Sequence, residues 1–223
     1  MTTLVRNFRR GLKMNLHVLN ARQRALYRCV VRPFASAEER EFFEGIPSVA
    51  GQLYRAERHA LYDAIVARAP KYGFEIGTFN GGGSTYFSAK AFAKLGHGKL
   101  VTLEIDAALH AKVVELYTNQ LPALRPYVEF LHGGSPELFV PFLHQAGAAE
   151  FVFLDGAEHA EQSLAQYRFF EPWFRAGSVL AMHDWNTEKM RLLRELLSHT
   201  PHWRETLTLE EPDSIGFAIY KMT

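Results

Sequence analysis

Phe74-Glu75-Ile76-Gly77-Thr78-Phe79-Asn80-Gly81-Gly82-Gly83-Ser84-Thr85 is an apolar run that ends in an acid and turns through four glycines into an amphipathic segment. The pattern reads as strand, tight loop, helix. Glycines admit positive φ and let the backbone approach a ligand closely, and the free N–H groups of the following helix face the same space. Such a loop is built to hold a small polar cofactor.

Spacing narrows the choice of cofactor. The dinucleotide fingerprint G-x-G-x-x-G and the phosphate loop G-x-x-x-x-G-K-S/T are both absent, since three non-glycine residues follow Gly77 and no lysine follows Gly83. An acid two residues before the first glycine suits a ligand that carries positive charge, as the ammonium and sulfonium of S-adenosylmethionine do. A pyrophosphate would be repelled there.

Outward from this stretch, the apolar residues of 52–67 fall at helical spacing, with Glu57 and Arg58 expected on another face. Strands are expected at 72–76, 100–105, 127–131, 151–154 and 178–182, each short and apolar, as strands buried on both faces should be. Helices fit between them. Ser84 is expected to cap one that stops at Gly96, Asp106 the next, and Ser135-Pro136 opens a third. Further helices are expected at about 160–170 and 188–198, and a terminal hairpin at 203–209 and 215–221. Five alternations of strand and helix imply parallel strands with right-handed crossovers, hence a doubly wound α/β sheet.

Ligands of such sheets sit beyond the carboxyl ends of the strands. The residues there are Gly77–Gly83, then Glu104, whose carboxylate can accept both hydroxyls of a ribose, then His132-Gly133-Gly134-Ser135, then Asp155, then His183-Asp184. Acids ending two adjacent strands stand about 5 Å apart at the backbone. They repel unless a proton or cation lies between them.

The ordered set Glu75-Ile76-Gly77…Gly81…Ser84-Thr85, Leu154-Asp155-Gly156-Ala157-Glu158-His159 and Met182-His183-Asp184-Trp185 resembles the class I S-adenosylmethionine-dependent methyltransferases, nearest to the metal-dependent O-methyltransferase-like branch. The resemblance covers about residues 50–223. It implies a mostly parallel, seven-stranded, Rossmann-like sheet with an antiparallel C-terminal strand. It also implies a methyltransferase domain over 51–223, preceded by a basic helical extension over 1–50.

The cofactor residues so implied are Glu75, Gly77, Thr78, Asn80, Gly81, Gly82 and Ser84 at the methionyl end, Glu104 at the ribose, Gly134 and Ser135 at the adenine, and Asp155. Metal-ligand positions fall on Asp155, His183 and Asp184, for magnesium or, with a histidine in the set, manganese, iron or zinc. This set departs from the branch's common pattern, because His183-Asp184 is not a pair of oxygen donors. Glu158 stands where relatives often carry the histidine of D-G-x-H, and His159 is displaced by one. Catalysis then falls to Asp155 with either Glu158 or His159 as the base. Trp185, with Phe79 and Tyr86, is the candidate wall of the acceptor pocket. The expected acceptor is a hydroxyl of a small molecule such as a sugar, polyketide or phenol. The alternatives are a cofactor-binding protein without activity and, against the glycine spacing, a nicotinamide-dependent dehydrogenase.

Composition sets bounds on this reading. The chain has 223 residues, 48% hydrophobic and 22% charged, with a formal net charge of +1. That suffices for one sizeable core and gives the whole molecule no strong pull towards nucleic acid or membrane. Charge is uneven, however. Arg6, Arg9, Arg10, Lys13, Arg22, Arg24, Arg28 and Arg32 precede the first acid, Glu38. This arm is expected to pack on its own domain or mediate a homo-oligomer, with peripheral membrane contact as the alternative. No apolar run is long enough for a transmembrane helix. The lone Cys29 fits a reducing, cytoplasmic setting.

Overall fold

Short apolar runs bounded by glycines and caps form seven strands in one sheet. The computed structural model describes residues 53–210 and 214–223. Residues 1–52, which include the basic arm and Cys29, and residues 211–213 lie outside the described residues. The chain runs α1 (Arg55–Arg68), β1 (Tyr72–Ile76), α2 (Ser84–Leu95), β2 (Lys99–Glu104), α3 (Ala107–Asn119), β3 (Val128–His132), α4 (Val140–Ala146), β4 (Phe151–Leu154), α5 (Ala160–Phe170), β5 (Val179–His183), α6 (Arg191–Ser198), β6 (Trp203–Leu209) and β7 (Phe217–Met222).

Strand order is β3-β2-β1-β4-β5-β7-β6. The strands β1 to β5 pair in parallel, whereas β7 runs antiparallel to both β5 and β6. The sheet is the Rossmann-like one expected. Strand order reverses between β1 and β4, so the loops after these two strands open the crevice where such sheets take ligands.

Side chains alternate across each strand and feed two cores. Phe74, Ile76, Val152, Leu154, Leu180 and Met182 pack on the face carrying Phe139, Tyr167, Phe170 and Leu193. The other face joins Leu100, Phe151, Phe153 and Val179 to Leu61, Ile65, Phe92, Val113 and Tyr117 from α1, α2 and α3. Glu75 projects between these residues on the second face and is fully buried.

Caps follow the local chemistry with two exceptions. Asp106 accepts from the N–H groups of Ala108 and Leu109, at 2.8 and 2.9 Å, as its place before α3 predicts. Gly83, not Ser84, is the residue flanking α2, which frees the Ser84 hydroxyl. Ser135 bonds the Glu137 carboxylate instead of a helix N–H, and the expected single helix is a 3-10 turn, Pro136–Phe139, continuing into α4.

The largest departure is on α1. Glu57 and Arg58, expected on a face apart from its apolar stripe, are 0% and 1% exposed. The Arg58 Nε–H donates to Leu53 O at 2.8 Å, and its guanidinium lies 5.4 Å from the centre of the Phe87 ring. Glu57 is held by the N–H of Tyr54 at 2.6 Å and the hydroxyl of Ser214 at 2.5 Å. Buried charges persist only when paired in this way.

Candidate active site

A cleft of about 790 Å³ lies over the carboxyl ends of the parallel strands, within the range of small-molecule sites. Its floor is the loop after β1. Gly77 has φ of 102°, and a Cβ there would come within 2.8 Å of the Gly156 backbone nitrogen, so the loops after β1 and β4 touch backbone to backbone. Gly81 closes a turn by donating its N–H to Thr78 O at 3.0 Å. Phe79 sits at φ of 51°, a strained value for a bulky side chain, and its ring is 41% exposed. Glu104 holds this conformation, accepting from the Phe79 N–H at 2.7 Å and the Asp106 N–H at 3.0 Å.

Beneath the loop lies a polar network. Glu75 Oε2 accepts from the hydroxyls of Thr85 (2.7 Å) and Thr102 (2.6 Å), and Thr102 Oγ1 is 2.5 Å from Thr78 Oγ1. Its other oxygen, Oε1, is buried with no hydrogen-bond partner among the described residues. Burial pushes the carboxyl up to about 7, against the pull of the Ser84, Thr102 and Thr85 hydroxyls.

Across the cleft, β4 and β5 deliver a charged cluster. His183 Nδ1 lies 3.2 Å from Asp155 Oδ1 and 3.4 Å from Asp184 Oδ1, and its Nε2 lies 3.5 Å from Glu57 Oε2. Burial disfavours the imidazolium, but the Asp155 and Glu57 carboxylates outweigh it and hold His183 well above its usual range. Asp184 takes φ of 55°, which aspartate tolerates. The turn it starts is closed by Thr187, whose N–H and hydroxyl both donate to Asp184 O, at 2.9 and 2.8 Å. Trp185 N–H donates to Gly216 O at 2.8 Å, pinning this turn to the start of β7.

That turn folds Lys189 back over the carboxylates. Its Nζ donates to Asp155 O at 2.8 Å, Asp155 Oδ1 at 2.9 Å and Asp184 Oδ2 at 2.9 Å. Burial alone would lower the ammonium's pKa, yet Asp155 and Asp184 leave it above the usual lysine value. The same two cations outweigh desolvation at Asp155 and hold its carboxyl below the usual range.

Of the residues singled out from sequence, Gly77, Thr78, Asn80, Gly81, Ser84, Glu104, Gly134, Asp155, Glu158 and Asp184 line the cleft. Glu75, Gly82, Ser135, His159 and His183 stand behind or beside it. His159 begins α5, where the Gln162 side chain accepts from the N–H groups of Glu158 and His159, at 2.9 and 3.2 Å. The expected aromatic wall is only partly present. Phe79 lines the cleft, whereas Trp185 is 5% exposed against Tyr220, and Tyr86 is 3% exposed against Phe87. Sequence reasoning missed Lys189, Glu57 and Ser214, and no spacing rule marks any of them.

One ligand atom from each of Asp155, His183 and Asp184 falls within 4.8 Å of the others, a spacing that could hold a metal ion. The donor set as folded fits one poorly. The Lys189 ammonium already bonds one oxygen of each carboxylate, Asp155 Oδ1 and Asp184 Oδ2, each at 2.9 Å.

The chain is similar to several solved structures. An O-methyltransferase from Bacillus cereus in complex with SAH matches at 19% identity and TM-score 0.58, over 87% of this chain and 94% of that one. The O-methyltransferase TomG from Streptomyces achromogenes, involved in tomaymycin synthesis and in complex with SAM, matches at 18% and 0.61, over 95% and 100%. A putative caffeoyl-CoA O-methyltransferase from Staphylococcus aureus matches at 15% and 0.60, over 98% and 97%. At these identities the likeness is one of fold. No curated protein matches the chain. The family model described as "Methyltransferase domain" matches residues 74–185, from the middle of β1 to the turn after β5 and so across the cleft-forming loops. The chain therefore belongs to the methyltransferase domain family and is a class I S-adenosylmethionine-dependent methyltransferase.

Proposed function

We propose that the cleft transfers the methyl group of S-adenosylmethionine to a hydroxyl of a small molecule. The observation that carries this reading is the pairing, in one cleft, of a glycine loop backed by Glu75 and Glu104 with a carboxylate cluster on the opposite side. The neighbours named above as O-methyltransferases, bound to SAH or SAM, support it. In this reading Gly77, Thr78, Asn80, Gly81, Gly82 and Ser84 surround the methionyl end, with Glu75 behind them. Glu104 meets the ribose, and Gly134 and Ser135 meet the adenine.

In the reaction an acceptor oxygen attacks the methyl carbon in line. The C–O bond forms as the S–C bond breaks, the sulfur keeps the electron pair as a neutral thioether, and the hydroxyl proton leaves to a base. Glu158 is the better placed of the two candidate bases, because it lines the cleft while His159 does not. Asp155 and Asp184 orient the acceptor. Positioning and fixed charge supply most of the rate. Metal assistance, implied by the resemblance at Asp155, His183 and Asp184, competes with Lys189 for the same oxygens, so no step here runs through a metal. No helix among the described residues is long and apolar enough to cross a membrane. A cytoplasmic setting for the enzyme rests on the single cysteine.

Calorimetric titration with S-adenosylhomocysteine, followed by a screen of hydroxyl acceptors with S-adenosylmethionine for release of S-adenosylhomocysteine, tests the proposal. Micromolar binding is expected, with turnover that falls at least tenfold in Glu158→Gln. Absence of binding would overturn the reading.

A further inference from the structure

We propose that Lys189 is the resident cation of this site, its ammonium standing between Asp155 and Asp184 so that the carboxylate pair works without a divalent metal. The argument begins with valence. An ammonium has three hydrogens and no acceptor. Lys189 has three acceptors in range, Asp155 O, Asp155 Oδ1 and Asp184 Oδ2, all at 2.8–2.9 Å. Its donors are thus fully used on the pair, and it acts through them as a positioning residue.

The placement is built into the fold. Lys189 lies in the 3-10 turn Glu188–Met190, which opens directly from the Thr187 bonds that close the Asp184 turn. Arg194 reinforces the turn from α6 by donating to the carbonyls of Trp185 and Thr187. The Lys189 side chain is only 11% exposed. A long cation held this dry needs both partners, because one carboxylate alone leaves the other uncompensated. His183 stands behind the pair, its Nδ1 3.2 Å from Asp155 Oδ1 and 3.4 Å from Asp184 Oδ1, and leaves Lys189 as the cation that bonds both carboxylates from the cleft side.

A divalent ion would need the oxygens that Lys189 holds, at bond lengths near 2.1 Å. Ion and ammonium cannot both sit against Asp155 Oδ1 and Asp184 Oδ2 without strong repulsion. Lys189 therefore excludes the metal while taking over its bridging place, holding the two adjacent side chains fixed for the acceptor.

The role of the pair rests on the proposed methyl transfer, but exclusion of metal does not, so the test separates the two. Manganese(II) chloride is titrated into the full-length protein and free manganese is read by electron paramagnetic resonance, for wild type, Lys189→Gln and Lys189→Arg, each checked for folding by circular dichroism. Wild type and Lys189→Arg are expected to leave the manganese signal free, and Lys189→Gln to gain at least tenfold in affinity. Stoichiometric manganese binding by wild type, which needs no variant to fold, would overturn the proposal. So would unchanged manganese affinity in a folded Lys189→Gln. S-adenosylhomocysteine titration in the same samples reports on the methyltransfer reading separately, and wild-type affinity should not change on chelation.

Discussion

Replacing Glu75 with Gln removes a buried acid whose ionisation opposes folding, and the effect has a defined pH window. In the folded protein burial raises this carboxyl from 4.5 to about 7. Below pH 4.5 both folded and unfolded chains carry the proton and the residue adds no pH dependence. Between pH 4.5 and about 7 the unfolded chain ionises first, so stability falls as pH rises. Above the folded value both are ionised and the cost is constant. Each pKa unit is worth about 1.4 kcal/mol, so the full loss is about 3 kcal/mol.

Glutamine keeps a carbonyl for the Thr85 and Thr102 hydroxyls and does not titrate. Its amide, placed where Oε1 has no hydrogen-bond partner among the described residues, adds an offset that is the same at every pH. Urea unfolding, followed by tryptophan fluorescence across the window and a unit beyond each end, gives both curves. Other titrating groups, His183 included, cancel in their difference. Wild type should lose about 3 kcal/mol relative to Glu75→Gln on going from the acid to the alkaline end. Parallel curves would refute the assignment of this raised pKa to Glu75.

Two further outcomes follow from the packing. Gly77→Ala meets both a positive φ and backbone atoms of Gly156 at 2.8–2.9 Å; thermal unfolding should show a loss on the order of 3 kcal/mol, roughly 6–12 °C in Tm, with weakened S-adenosylhomocysteine binding. Glu57→Ala strips the counter-charge from His183 and the partners from Tyr54 N–H and Ser214, at about 3–5 kcal/mol. Glu57→Gln, which keeps one acceptor oxygen but neither the charge nor the second acceptor, should fall between, and a Glu57→Ala protein within about 1 kcal/mol of wild type would contradict the role given to this acid.

The sheet was legible because its strands are buried on both faces and punctuated by glycines and caps. Strands 72–76 and 151–154 and helix 160–170 fall where expected, and the remaining parallel strands shift by about one residue at their ends. Local chemistry decides such features. It also decides the loop after β1, whose glycines are read directly from spacing. Partners distant in sequence were not legible. Glu57 reads as a solvated acid until Ser214, 157 residues away, and His183 come to meet it. Lys189 falls in the first turn of the helix expected at 188–198, and nothing nearby announces that it will instead sit in a 3-10 turn and cross to Asp155, 34 residues earlier. Trp185 was misplaced for the opposite reason: its position after the strand suggested the cleft, and the apolar surface around Tyr220 claimed it.

The Glu57 contact also redraws the minimum unit of this enzyme. The family match starts at residue 74, inside β1, and a fragment begun there would keep the last three residues of β1 and the whole of β2 to β7. It would nonetheless strand a buried imidazolium, because the carboxylate facing His183 Nε2 arrives from α1. The first helix is thus not a removable leader to the sheet. Engineering that trims, fuses or swaps the N-terminal side must keep the chain from at least Tyr54 onward, and any force that shifts α1 alters the charge balance of the site seen from behind.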